Sequence, residues 1–234
     1  MLNKLVPEVE LAYAYPKDYK VQAMTRQASI LRRLFPELKD AKYDERISTN
    51  PLPNNAEGWF AIPRWQKLGS TYGEAVEKVL AMIGRSRKFY NWREGQLNAL
   101  HLRQTIRSIK ASQKLVGEQE GYDILTVSAQ FGLLHRGHSV RIARMAFATN
   151  EFGLGTFVVG IMLLTHPRRL VEYDDLWIDC AGDKFASGAD GLFVDVPCFR
   201  FRDGRLKFGT PWSVRTRSHE GSASAFLKGR LNAK

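Results

Sequence analysis

Residues 122–139, YDILTVSAQFGLLHRGHS, hold a strand signal that runs straight into a chemically loaded loop. Asp123–Ser128 is short, apolar and bounded by turn residues, which predicts a buried strand. Gly132 and Gly137 punctuate the loop that follows, and His135, Arg136 and His138 sit on it. Ser139 is a suitable N-cap for a helix reaching to about Asn150.

Toward the C-terminus, Thr156–Leu164 (TFVVGIMLL) is continuously apolar and predicts a second strand. Continuous apolar runs suit strands buried on both faces. Pro167 opens a short helix, and Leu176–Cys180 (LWIDC) predicts a third strand. Strand, helix, strand, helix, strand is the order of parallel strands joined by right-handed crossovers. The expected fold class is therefore α/β, a small mainly parallel sheet flanked by helices. Phe193–Gly209 alternates around Asp203-Gly204, a turn signal that predicts a C-terminal β-hairpin.

Toward the N-terminus, Ser70 or Thr71 can cap a helix over Tyr72–Ile83 that Gly84 ends. A longer helix is expected from about Gln96 to Val116. Lys17–Leu34 has helical spacing of Val21, Met24, Ile30, Leu31 and Leu34. A polar, proline-containing stretch follows it at residues 44–57. Three segments result: a helical N-terminal appendage and linker over 1–57, an α/β domain over 58–210, and a flexible basic tail over 211–234.

Parallel neighbours would bring three strand ends to one rim, the place where open α/β sheets hold ligands. The first end supplies Gln130, His135, Arg136 and His138. The second supplies Thr165 and His166, and the third Asp179, Cys180 and Asp183. His135 or His138 would move a proton near neutral pH. Arg136, with Ser139 at a helix N-terminus, would hold a phosphate. Asp179 and Asp183 would orient a histidine or bind Mg²⁺. Each residue also has a plain structural role open to it. Ser139 can simply cap a helix, His166 can precede one, Cys180 can be a small buried hydrophobe, and Glu151 a loop residue. No P-loop, dinucleotide-binding glycine motif, zinc-protease helix or nucleophile elbow is present in the sequence.

Lys and Arg number 35 against 24 Asp and Glu, giving a net charge of +11 and a partner expected to be nucleic acid or a phosphorylated ligand. Arg85, Arg87, Lys88, Arg93, Arg103, Arg107, Lys110 and Lys114 cluster in sequence, with Phe89, Tyr90 and Trp92 among them. Such cations neutralise phosphates, and such rings stack on unpaired bases or anchor a loop to the core. The longest uncharged run, Phe152–Thr165, falls short of the ~20 residues a spanning helix needs, so no membrane role is expected. Two cysteines without a secretory segment read as thiols in the cytoplasm. The leading expectation is a nucleic-acid-associated protein binding through the 85–114 ridge and the HRGH loop. An enzyme acting on a phosphate-bearing substrate (a phosphodiesterase or transferase) and a structural subunit of a larger assembly are the alternatives.

Overall fold

The computed structural model describes residues 7–11, 13–188 and 191–228. In chain order it builds α1 (Met24–Leu34), α2 (Glu45–Ser48), β1 (Gly58–Pro63), α3 (Tyr72–Ser86), β2 (Phe89–Asn91) and β3 (Leu102–Gln104). Then come α4 (Ile106–Glu118), β4 (Ile124–Gln130), α5 (Val140–Ala146), β5 (Glu151–Gly153) and α6 (Thr156–Thr165). The chain ends with β6 (Trp177–Asp179), β7 (Asp183–Phe185), β8 (Cys198–Arg202), β9 (Arg205–Gly209), β10 (Glu220–Ser222) and β11 (Ser224–Phe226).

The sheets are not mainly parallel. A four-stranded sheet has the order β1-β4-β11-β5, and all its pairs are antiparallel. A five-stranded sheet has the order β10-β6-β8-β9-β2, and only its two outer pairs, β10–β6 and β9–β2, are parallel. The third unit is the antiparallel pair β3–β7. The expected parallel sheet fails at its middle strand, because residues 156–164 form the helix α6. A run apolar at every position has no period to separate a strand from a helix buried on all sides. Asp183 accepts the Thr156 N–H at 2.6 Å and so holds the N-terminus of α6. A Cβ on Gly160 would lie 2.6 Å from Val79 Cγ1, so this glycine lets α6 lie close against α3.

With α6 helical, β4 and β6 lie in different sheets, so the single parallel sheet that was to align their ends is not formed. β4 does occupy the centre of its sheet, buried along its whole length between β1 and β11. α1 is no appendage. Ala28 and Leu31 share one core with Phe60, Val79 and Phe157. Buried Gln27 also completes the edge strand β1: its amide donates to Trp59 O at 2.8 Å and accepts from Ala61 N at 2.9 Å. Edge strands leave such backbone groups open, and here a side chain closes them. The segment after Pro211, read as a tail, contributes β10 and β11, one to each large sheet. Between them, Ala223 N donates to Asp179 O and Ala223 O accepts from Leu154 N. This crossing binds the two sheets together.

Candidate functional site

The loop after β4 folds inward. Gly132, at φ +127°, turns the chain so tightly that a Cβ there would meet Gly221 O at 2.6 Å. His135 is buried and its Nε2 donates to Glu151 Oε1 at 2.6 Å. Ser224 Oγ donates to the same oxygen at 2.5 Å and accepts from Gln130 Nε2 at 2.8 Å. Gln130 Oε1 takes the Gly132 and Leu134 N–H groups, and Ala148 N donates to Glu151 Oε2 at 3.1 Å. Burial would raise the Glu151 carboxyl, but the bonds from His135, Ser224 and Ala148 hold it below its ordinary value. In sequence Glu151 reads as a loop residue, and Ser224 carries no signal. They meet His135 only because β5 and β11 are neighbours.

The rest of the loop is likewise engaged. Arg136 forms a β-bridge with Gly221. His138 and Ser139 are buried, and Ser139 Oγ caps α5 by accepting from Ile142 N. The backbone N–H foreseen for a phosphate, that of Ser139, instead donates to Glu8 Oε2 at 2.7 Å. That bond is the main reason the Glu8 carboxyl lies below its ordinary value.

Asp183 is fully buried, accepting from Tyr72 Oη as well as Thr156 N. Burial pushes its carboxyl up to about 6 against the pull of those bonds. Asp179 lies in the other large sheet, on the face of β6 that also carries Trp177. His166 sits at the end of α6, with Nε2 accepting Gln22 N–H at 3.0 Å, and burial lowers its ring to about 4. Thr165 bonds back to Ile161 and Met162, and Cys180 is a buried free thiol. Among the described residues, no three His, Cys, Asp or Glu side chains gather as a metal site.

Several of the basic residues are also tied down. Arg87 donates to Pro167 O and Leu170 O, and Arg93 to Thr210, Gln96 and Ser187. The helix expected from Gln96 starts at Ile106, and Arg103 lies on β3 with its guanidinium 4.2 Å from the Phe193 ring. Arg107 grips the carbonyls of Phe147, Ala148 and Glu151. Lys114 pairs with Glu118 at 3.7 Å. Arg85, Lys88 and Lys110 are exposed.

The five-stranded sheet has a different character. Ile178, Phe199, Leu206 and Phe208 point one way into the core and are fully buried. The alternate residues form the other face. Trp92 follows β2, with its ring 3.2 Å from where a Gly209 Cβ would stand. Arg200 lies 4.5 Å from that ring and 5.3 Å from Trp177, and Lys207 Nζ lies 5.2 Å from Trp92. Tyr90 meets Trp92 at 5.1 Å, and Trp177 meets His219 at 4.0 Å. Rings and cations therefore alternate in an unbroken track from Tyr90 to His219. Tyr90 and Trp92 are 46% and 41% exposed, which leaves ring surface open to a ligand.

Beneath the track, the side-chain atoms Trp177 Nε1, Asp179 Oδ1, Arg200 Nε, His219 Nε2 and Ser222 Oγ are buried without hydrogen-bond partners. Buried polar groups are ordinarily paired, so five on one face set it apart. Burial, with Arg217, Arg200 and Arg202 close by, lowers His219 to about 4. Burial and the nearby Glu220 raise Asp179, and burial raises Glu220 against the pull of Arg217. Arg202, Arg205 and Arg215 are exposed. No helix among the described residues is long and apolar enough to cross a membrane. Comparison with protein-family models, curated proteins and solved structures finds no match.

Proposed function

We propose that this protein binds single-stranded nucleic acid at the Tyr90–Trp92 edge of its five-stranded sheet. The observation that carries this reading is the pair of half-exposed rings Tyr90 and Trp92, with Arg200 and Lys207 against the Trp92 ring. Unpaired bases stack on aromatic rings whatever their sequence, while cations between the rings meet the phosphates. A net charge of +11 adds a long-range attraction for polyanions. Paired bases keep their faces stacked on one another, so a duplex gains only the electrostatic part.

Fluorescence anisotropy on the full chain tests the proposal, with a labelled single strand of about 12 nucleotides, within the usual ~4–16 nucleotide footprint. The single strand binds more tightly than a duplex of the same length, and affinity falls steeply with salt. Equal affinity for the two forms, or a flat salt dependence, overturns the reading.

A further inference from the structure

A second basic feature shares no residue with the track. Between α1 and the segment Leu164–Val171 lies a cavity of about 600 Å³. Its walls bring together Lys20, Arg26, Arg33, Arg87 and Arg168, against the single carboxylate of Asp18. That carboxylate is already paired with Arg168. Among the described residues, the side chains of Lys20, Arg26 and Arg33 have no hydrogen-bond or ion-pair partner, and all three are exposed. Arg87 is fixed differently, with Nη1 3.0 Å from Pro167 O and Nη2 2.6 Å from Leu170 O. Those carbonyls hold the guanidinium at the wall without cancelling its charge.

The inner surface is mostly uncharged. Tyr19 and His166 line it with Ile30, Leu34 and Leu164. His166 is 3% exposed, and its orientation is set by the Gln22 N–H and by Thr165 Oγ1, 2.9 Å from its Nδ1. Small-molecule sites have this form: a largely apolar hollow of roughly 300–1,000 Å³ with a few placed polar groups. With Arg168 paired to Asp18, four like charges remain around one hollow and repel each other unless an anion lies between them.

We propose that this cavity binds a small molecule bearing a phosphate chain, held by Arg26, Arg33 and Arg87 at the rim with its uncharged part against Tyr19 and His166. Guanidinium groups suit this role because they meet phosphate oxygens through two parallel N–H bonds. The chemistry is shared by nucleotides and by inorganic polyphosphates, and the test separates them.

Isothermal titration calorimetry on the full chain compares ATP, inorganic tripolyphosphate and adenosine. ATP and tripolyphosphate bind and adenosine does not. ATP binding the tighter of the two assigns the inner surface to a nucleoside, whereas equal affinity assigns the site to the phosphate chain alone. In Arg26→Gln/Arg33→Gln, affinity for both phosphate ligands falls about tenfold or more, the scale of one lost charge-assisted hydrogen bond. Lys20→Gln/Arg26→Gln shows the same direction, so the result does not hang on one variant folding. Single-strand affinity is unchanged in both variants, which keeps this site separate from the track. No binding by either phosphate ligand, or binding undiminished in both variants, overturns the proposal.

Discussion

Two polar assemblies in this protein use similar residue types to opposite ends. At the junction of β4, β5 and β11, the side chains of Gln130, His135, Glu151 and Ser224 are buried and bonded to one another. On the second face of the five-stranded sheet, the side-chain atoms Trp177 Nε1, Asp179 Oδ1 and Arg200 Nε stay unmatched, and at its edge the rings of Tyr90 and Trp92 reach solvent. A polar network that satisfies itself has nothing left to offer a ligand, and its contribution is to fix one arrangement of the chain. A face that leaves polar atoms unmatched gives up stability, and the alternation of rings and cations there suits binding instead. Histidine, arginine and carboxylate do not mark function by themselves; the state of their hydrogen bonds does.

The largest expected effect probes the junction. Glu151→Ala leaves His135, Ser224 and Ala148 N facing an emptied site, and each buried donor left without its acceptor costs about 1–3 kcal/mol. Urea unfolding followed by tryptophan fluorescence measures it. Single-strand affinity at low temperature, where the variant remains folded, stays at the wild-type value. A loss under about 1 kcal/mol would show that the junction is not what fixes β4, β5 and β11 against one another.

Buried acids away from the track give the next effect, through pH. The Asp183 carboxyl stands at about 6 in the folded chain against an ordinary 3.8. Between those values the folded state holds more protons than the unfolded one, so stability falls as pH rises from about 4 to about 6. The contribution reaches at most roughly 3 kcal/mol at 1.36 kcal/mol per unit. His166, lowered to about 4 from 6.5, works in the opposite direction, its contribution rising with pH over that range. The wild type therefore has to be compared with Asp183→Asn. The stability difference between them grows in favour of the variant from pH 4 to 6, and a difference that stays constant across the range sinks the assignment.

The track itself gives a smaller change in stability and a clear one in binding. Trp92→Ala removes a ring that covers Arg200 and Lys207 yet stays 41% exposed. Single-strand affinity drops by about 1–3 kcal/mol, the usual value of one stacked base. Anisotropy titrations at one salt concentration read it directly. Unaltered affinity in a folded variant would remove the track from the binding surface.

The extent to which this was readable from sequence follows the same division. Local signals were sound where one residue type forces the backbone. Asp203 and Gly204 both take positive φ at the β8–β9 turn, and Thr71 caps α3 by accepting Glu74 N–H. The buried strand of the Tyr122–Ser139 stretch is the central β4. Period was uninformative at Thr156–Leu164, where all-round apolarity hid a helix, and that error carried the parallel sheet and its rim with it. The junction partners Glu151 and Ser224 are 73 residues apart and meet only through strand pairing. The track had left a trace: in CFRFR and RLKF, apolar residues alternate with Arg200, Arg202, Arg205 and Lys207. Such period-2 spacing puts one side in the core and the basic side outward. The trace predicted a hairpin, while attention to charge went to the 85–114 ridge.

That ridge supplies the smallest effect and the sharpest separation from the track. Arg103 on β3 is stacked on Phe193 and Arg107 is held by three carbonyls, which leaves on α4 the exposed lysines Lys110 and Lys114, the second paired with Glu118. A lysine that contacts a phosphate lowers the salt slope of binding by about one when it is removed. Lysines on a solvated face change stability by no more than about 0.5 kcal/mol and leave the slope alone. Lys110→Gln/Lys114→Gln is expected to do the latter, with single-strand affinity within about twofold at moderate salt, because Debye screening over ~8–10 Å leaves little of a distant surface charge. A slope reduced by about two would instead draw α4 into the interface and extend the binding surface beyond the five-stranded sheet.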